Sequence, residues 1–217
     1  MHIGILGGTG KEGAGLAQRW ALAGHQVIIG SRDAERARSK AAELSVLAGG
    51  ATITGMANLD AATAAPVVVL TLPASGLAAT LVPLKDACRG KVVISTVVPL
   101  TFGGGRLFTP PPQGSSAEEV QELLGAQARV VAAFHHIAAH ELAAAEHDIE
   151  CDLLLCGGDA EAKKIVTELG QSMGLRAVEA GALTNAGALE GITAVLATIN
   201  RRYKLKNSGI KITGLPA

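Results

Sequence analysis

Short apolar runs alternate with longer Ala-rich amphipathic stretches along nearly the whole chain. A strand is predicted near Ile3-Leu6, then a helix from Lys11 to Ala23 carrying Leu16, Trp20 and Leu22, with Gly24 as its C-cap. Val27-Ile29 reads as a second buried strand and Asp33 to Leu47 as a charged helix. A short third strand is expected at Ala51-Thr54. A fourth is expected at Pro66 to Leu72, apolar throughout as a central parallel strand should be. Leu77-Leu84 looks helical, and Lys91 to Val98 is a fifth strand. The rhythm then breaks. Thr101 to Gly114 holds Gly103-Gly104-Gly105 and Pro110-Pro111-Pro112, a long loop of the kind that is often functional. Ser116-Ala117-Glu118-Glu119 reads as a capping box opening a helix to about Ala126. A sixth strand, Arg129 to Phe134, leads into a His-rich segment. Then follow a strand near Asp152-Cys156, a helix from Asp159 to Met173, a strand near Arg176-Val178 and a long helix from Asn185 to Tyr203.

Strand and helix alternating from the first residue predict an α/β fold, a doubly wound parallel (Rossmann) sheet covered on both faces. Residues 1–135 hold six of the strands and are expected to form one domain. Residues 136–217 are expected to form a smaller α/β lobe that closes a cleft against it. Composition sharpens this picture. Of 217 residues 48% are apolar but only 2% aromatic, so the core must be built from Ala, Val, Leu and Ile. The 19 basic and 19 acidic residues cancel, which argues against a nucleic-acid or anionic-membrane partner. Ala61 to Leu84 carries no charge, but Pro66, Pro73, Gly76 and Pro83 punctuate it, so a strand, a turn and a helix are expected there rather than a membrane span. The three cysteines, Cys88, Cys151 and Cys156, form no Cys-x-x-Cys pair, and no basic-then-apolar leader precedes the first strand; both features suit a reducing cytoplasm.

Three patterns carry chemistry. Gly8-Thr9-Gly10-Lys11-Glu12-Gly13 has the dinucleotide spacing between a strand and a helix. Its glycines allow a tight turn, a close pyrophosphate and close helix packing, and the helix N-terminus offers N–H groups to phosphate. About 20 residues on, where an NAD site places a carboxylate, this chain has Ser31 and Arg32, with Arg36 one helical turn further; a hydroxyl and two guanidinium groups suit the 2′-phosphate of NADP, although Asp33 leaves room for NAD. The third pattern is Phe134-His135-His136-Ile137-Ala138-Ala139-His140, following a strand end. His136 and His140 have the spacing of two metal ligands, but no nearby Asp, Glu or Cys completes a set, so no metal is expected and a histidine lining the ligand cleft is favoured. No nucleophile elbow or P-loop is present, and Cys88 precedes Arg89-Gly90, a turn expected in solvent.

With these residues in view, the chain resembles the NADPH-dependent oxidoreductases of the deazaflavin coenzyme F420. The resemblance runs nearly end to end through "GGTGKEGAGLA", "VIIGSRDAERA", "VVVLTLP", "VVISTVVPL", "FHHIAAHEL" and "GIKI". It implies a cytoplasmic enzyme passing hydride between NADP(H) and F420, and a dimer formed partly through C-terminal elements. By position it places Thr9 to Glu12 at the pyrophosphate side, Ser31, Arg32 and Arg36 at the 2′-phosphate, and Leu72, Pro73 and Ala74 against the nucleotide. Val98 and Pro99 would lie near the nicotinamide, His135 and Ile137 near the deazaflavin ring, and Ala139 at the nicotinamide end. His135 is the expected catalytic group, bonding a ring carbonyl as charge grows there. The family's Thr is kept as Thr193, but Gly187 and Gly191 stand where it often has Arg and Ser, which would widen the acceptor pocket. The rival readings are an NADP(H)-binding sensor without turnover, and an NADPH-dependent reductase of FAD, a quinone or a small imine.

Overall fold

The computed structural model describes residues 1–215. Eight strands form one sheet in the order β3-β2-β1-β4-β5-β6-β7-β8. The strands are β1 (His2–Leu6), β2 (Gln26–Ser31), β3 (Ile53–Ala57), β4 (Val67–Leu70), β5 (Val92–Ser95), β6 (Arg129–Ala132), β7 (Asp152–Gly157) and β8 (Arg176–Glu179). The first six pair in parallel, with Ile5 opposite Ile29 on one side and Val69 on the other. Those neighbours explain the unbroken apolar runs: both faces of these strands are covered. The β6–β7 step is antiparallel, at Val131–Gly157 and Ala132–Cys156, and β8 then runs parallel to β7. The two strands of the expected smaller lobe thus extend the same sheet.

The helices are α1 (Lys11–Leu22), α2 (Ala34–Leu47), α3 (Asn58–Ala64), α4 (Leu77–Leu81), α5 (Ser116–Leu124), α6 (Ala139–Ala143), α7 (Ala160–Gln171) and α8 (Ala186–Tyr203). Leu16 and Trp20 of α1, Leu44 of α2, Leu142 of α6 and Val166 of α7 pack one face of the sheet. Ala61 of α3, Leu81 of α4, Val120 of α5 and Leu189 of α8 pack the other.

Several elements differ from the sequence expectation for local reasons. β3 starts at Ile53, because Gly49 and Gly50, both at positive φ, still belong to the turn that ends α2. Pro83 confines α4 to five residues and leaves a 3₁₀ turn after it. The capping box of α5 uses Ser115, not Ser116: its Oγ accepts from the Glu118 amide at 3.0 Å and donates to the Glu118 carboxylate at 2.7 Å. Cys88 is fully buried, and burial pushes its thiol up, so the turn at Arg89-Gly90 starts one residue after the solvent boundary. Two short helices, α3 and α6, were not expected, since seven and five residues are too few to show an apolar period.

Candidate active site

The glycine turn sits at the carboxyl end of β1, in the middle of the sheet. Gly7 carries the left-handed φ of 74° that the tight turn needs, a role the spacing suggested for Gly8. Gly13 is where helix meets strand: a Cβ there would stand 2.7 Å from Gly8 Cα and 2.6 Å from the Thr71 hydroxyl. At Gly10 a Cβ would meet nothing nearer than Gly7 O at 3.6 Å, so this side of the turn is open. Gly10 is also the N-cap of α1 and supplies no side chain to it, so the first amides of α1 face outward unmasked. An open turn with free helix amides is the fit that a pyrophosphate requires. Thr9 and Lys11 flank that opening. Asn58 at the start of α3 accepts from the Gly7 amide at 3.4 Å and blocks any side chain at Gly30; nothing in its local pattern marked it.

The tip of β2 presents the expected cations. Arg32 and Arg36 are exposed, and neither makes an ion pair among the described residues, whereas Arg38 is held by Glu35 and Lys40 by Glu43. Asp33 turns back and caps α2, accepting from the amides of Glu35 at 2.9 Å and Arg36 at 3.2 Å. One of its carboxylate oxygens, Oδ1, is thus committed to the helix cap. Ser31 accepts from the Asp33 amide, leaving its own proton to give. Across the turn, Leu72 reaches the side of Gly7 that a Cβ would occupy, and Pro73 and Ala74 follow it on the same loop.

A cleft of about 380 Å³ opens beside this turn. Glu12, Leu100 and Phe102 form one wall, His135 to Ala139 a second, and Thr193 and Leu196 of α8 a third. The structure thus brings Thr193 alongside His135, Ile137 and Ala139, from 58 positions beyond His135. Val98 and Pro99 lie half-buried just before the Leu100 wall and are not part of its lining. His140, by contrast, opens into a separate groove with Thr9, Gly10 and Lys11, while His136 is buried with Nε2 2.9 Å from the Asp152 carbonyl. The two do not converge, and among the described residues no group of three His, Cys, Asp or Glu could hold a metal.

His135 follows a strained residue at the edge of the cleft. Phe134 has φ 65°, a left-handed conformation costly for a bulky side chain, and is fully buried against Trp20 with ring centroids 5.4 Å apart. Thr193 Oγ1 donates to the His135 carbonyl at 3.2 Å, tying α8 to the same bend. Below the bend, buried Arg19 of α1 donates to the carbonyls of Leu142, Glu141, Ala144 and His147.

Three buried polar atoms in the cleft walls lack a protein partner: Glu12 Oε1, His135 Nε2 and His136 Nδ1. Burial pushes the Glu12 carboxyl up to about 7, opposed by the Thr96 hydroxyl. Burial, and then the neighbouring His136, hold His135 down to about 3, so its ring is neutral. Unpaired groups of this kind are costly unless a ligand completes them.

The two glycines on α8 do not widen the cleft. A Cβ on Gly187 would stand 2.6 Å from the Gly114 carbonyl, and one on Gly191 3.6 Å from the Phe108 ring. Both accept the 101–114 loop, which Leu100 and Phe108 bridge.

Comparison with known proteins converges on one family. The model of coenzyme F420-dependent NADP oxidoreductases matches residues 2–99. The chain is 41% identical to the F420-dependent NADP reductase of Methanothermobacter thermautotrophicus over all of this chain and 96% of that protein. It is 42% identical to the reductase of the same name from Methanocaldococcus jannaschii, over 99% of each. The rat metalloreductase STEAP3 is 30% identical over 88% of this chain but only 36% of its own length. Among solved structures, a candidate F420-dependent NADP reductase from Arthrobacter sp. FB24 shares the fold, with a TM-score of 0.81 at 24% identity over 98% of this chain and 99% of that one. End-to-end likeness to the two archaeal enzymes, together with the open glycine turn and the cleft beside it, places this chain in the F420-dependent NADP reductase family.

Proposed function

We propose that this chain transfers hydride between NADP(H) and the deazaflavin coenzyme F420. The observation that carries this reading is the cleft next to the glycine turn, walled by Glu12, His135, His136, Ile137 and Thr193, with three buried polar atoms of those walls left without a protein partner. When bound, NADPH supplies hydride from its nicotinamide C4 and the deazaflavin accepts it at C5. Gly8, Thr9, Gly10, Lys11 and Gly13 hold the pyrophosphate on the α1 amides, with Glu12 turned inward from the same turn. Ser31, Arg32 and Arg36 grip the 2′-phosphate, and Leu72, Pro73 and Ala74 flank the adenosine side. Val98 and Pro99 border the nicotinamide. Ile137, Ala139 and Thr193 wall the acceptor, and His135, neutral and fixed by the Phe134 bend, offers a hydrogen bond to its ring. Catalysis rests on holding two rings about 3–3.5 Å apart in a cleft that excludes water.

In this reading residues 1–135 bind the nucleotide and residues 136–217 complete the acceptor cleft and much of a homodimer contact. Exposed Val195, Tyr203 and Leu205 near the C-terminal end support that contact. Three unpaired buried cysteines support a cytoplasmic setting, and among the described residues no helix is long and apolar enough to cross a membrane. Anaerobic mixing of NADPH with F420 tests the function: loss of the deazaflavin's visible absorbance is expected. NADPH oxidation by FAD or a quinone without any by F420 would overturn it.

A further inference from the structure

Reduction of the deazaflavin by NADPH consumes one proton besides the hydride. As hydride leaves the nicotinamide C4 with its electron pair, the C5–H bond forms on the deazaflavin and ring electrons move toward its N1–C2 carbonyl end. One proton there completes the neutral reduced product, and the nicotinamide is left cationic. The donor must sit in the acceptor cleft and must hold a proton near neutral pH.

We propose that Glu12 is this proton relay: its carboxyl gives a proton to the deazaflavin as hydride arrives, and takes one back in the reverse direction. The assignment rests on the F420 reading. Its warrant is geometric first. Glu12 is the second residue of α1, one position past the outward-facing Lys11, yet it lines the cleft and is only partly exposed, with Oε1 buried in the wall without a hydrogen-bond partner. An acid placed there only to favour the helix N-terminus would face solvent and stay ionised.

Elimination among the cleft's titratable groups points the same way. The groups facing Glu12 are Thr96 from the end of β5 and His135 and His136 from the bend after β6. The α8 wall adds only uncharged side chains, Thr193, Leu196, Ala197 and Asn200. Both imidazoles are pushed down by burial and hold no acidic proton near neutrality. Among the groups lining the cleft only Glu12 is pushed up, to about 7, by burial against the opposing Thr96 hydroxyl; Glu190 of α8 is pushed up as well but lies outside the lining, accepting from the amides of Ser116 and Ala117. The O–H bond of Glu12 breaks, an N–H bond forms on the acceptor, and the carboxylate faces the new nicotinamide cation until water returns its proton.

Glu12→Gln keeps size and polarity but cannot titrate, so it is the decisive variant. Infrared titration of the ligand-free wild type should show a protonated carboxyl that titrates near pH 7 and is missing from E12Q. In single-turnover mixing of NADPH with F420, the wild-type rate should fall as pH rises through about 7 and show a solvent isotope effect. E12Q should be slower by about a hundredfold, flat with pH and without that isotope effect, while its NADPH affinity stays within about threefold. A Glu12 ionised from about pH 5 upward, or an E12Q with the wild-type rate and isotope effect, overturns the relay alone. A wild type that cannot reduce F420 overturns the functional reading and the relay with it. Were E12Q unable to fold, the wild-type titration and isotope effect still decide.

Discussion

Arg32 and Arg36 stand exposed without ion-pair partners, beside an Asp33 already committed to capping α2. Removing one charged phosphate contact costs about 1.5–3 kcal/mol, so Arg32→Ala should weaken NADPH about ten- to a hundredfold and leave NADH nearly unchanged. Equal losses for both nucleotides in a titration would refute the assignment. His135→Ala should lower turnover with little change in NADPH affinity. Because the imidazole is already neutral well below working pH, the variant should not move the pH profile. Glu12 makes a different prediction. Its carboxyl titrates near 7 when folded and near 4.5 when unfolded, so between those values the folded chain binds the extra proton. Stability therefore falls as pH climbs from about 4.5 through about 7, by about 1–3 kcal/mol from this group, and Glu12→Gln should make that slope shallower in thermal melts, leaving the share of Glu190, which burial also pushes up to about 7. The open glycine turn and the exposed arginines at the β2 tip were legible because turn, strand tip and helix start are contiguous in sequence. The inward turn of Glu12 was not, since its cleft partners come from the ends of β5 and β6 and from α8.

The elements around the cleft are held by contacts that no local pattern announces. Arg19 reaches carbonyls 122 to 128 positions away, so it reads in sequence as one more charge on an Ala-rich helix. Arg19→Met keeps the aliphatic stem and deletes the bonds. We expect a loss of about 3 kcal/mol or more in denaturant unfolding, with faster hydrogen exchange confined to residues 139–147. The capping box was legible in type but not in register, because adjacent serines both fit the motif and only the structure selects Ser115. The glycines of α8 were misread for a similar reason. Their neighbours, Gly114 and Phe108, lie on a loop whose path depends on the whole fold. Gly187→Ala should therefore destabilise the protein by about 1–3 kcal/mol through overpacking, whereas Gly191→Ala, meeting Phe108 at contact distance, should be nearly neutral in the same melts.

At the scale of the molecule, the parallel order of the first six strands followed from apolar runs separated by helices, and it was the most legible feature of all. The antiparallel entry of β7 was not legible. Only two residue pairs join it to β6, and short apolar strands look alike in either direction. That entry brings the C-terminal segment back alongside β7, where Asp152 accepts from Arg176 and from the Ile212 amide at 2.6 Å. Asp152→Asn should raise hydrogen exchange over residues 207–213 while leaving NADPH binding unchanged.

The bend at Phe134 carries a consequence for how such a protein can diversify. The ring that anchors the bend packs on Trp20, deep in the core, and the next residue, His135, lines the cleft. Selection for heat tolerance and selection for turnover therefore act on the same pair of side chains. A library varied at Trp20 and Phe134 should return few winners on either screen, and those few should be shared.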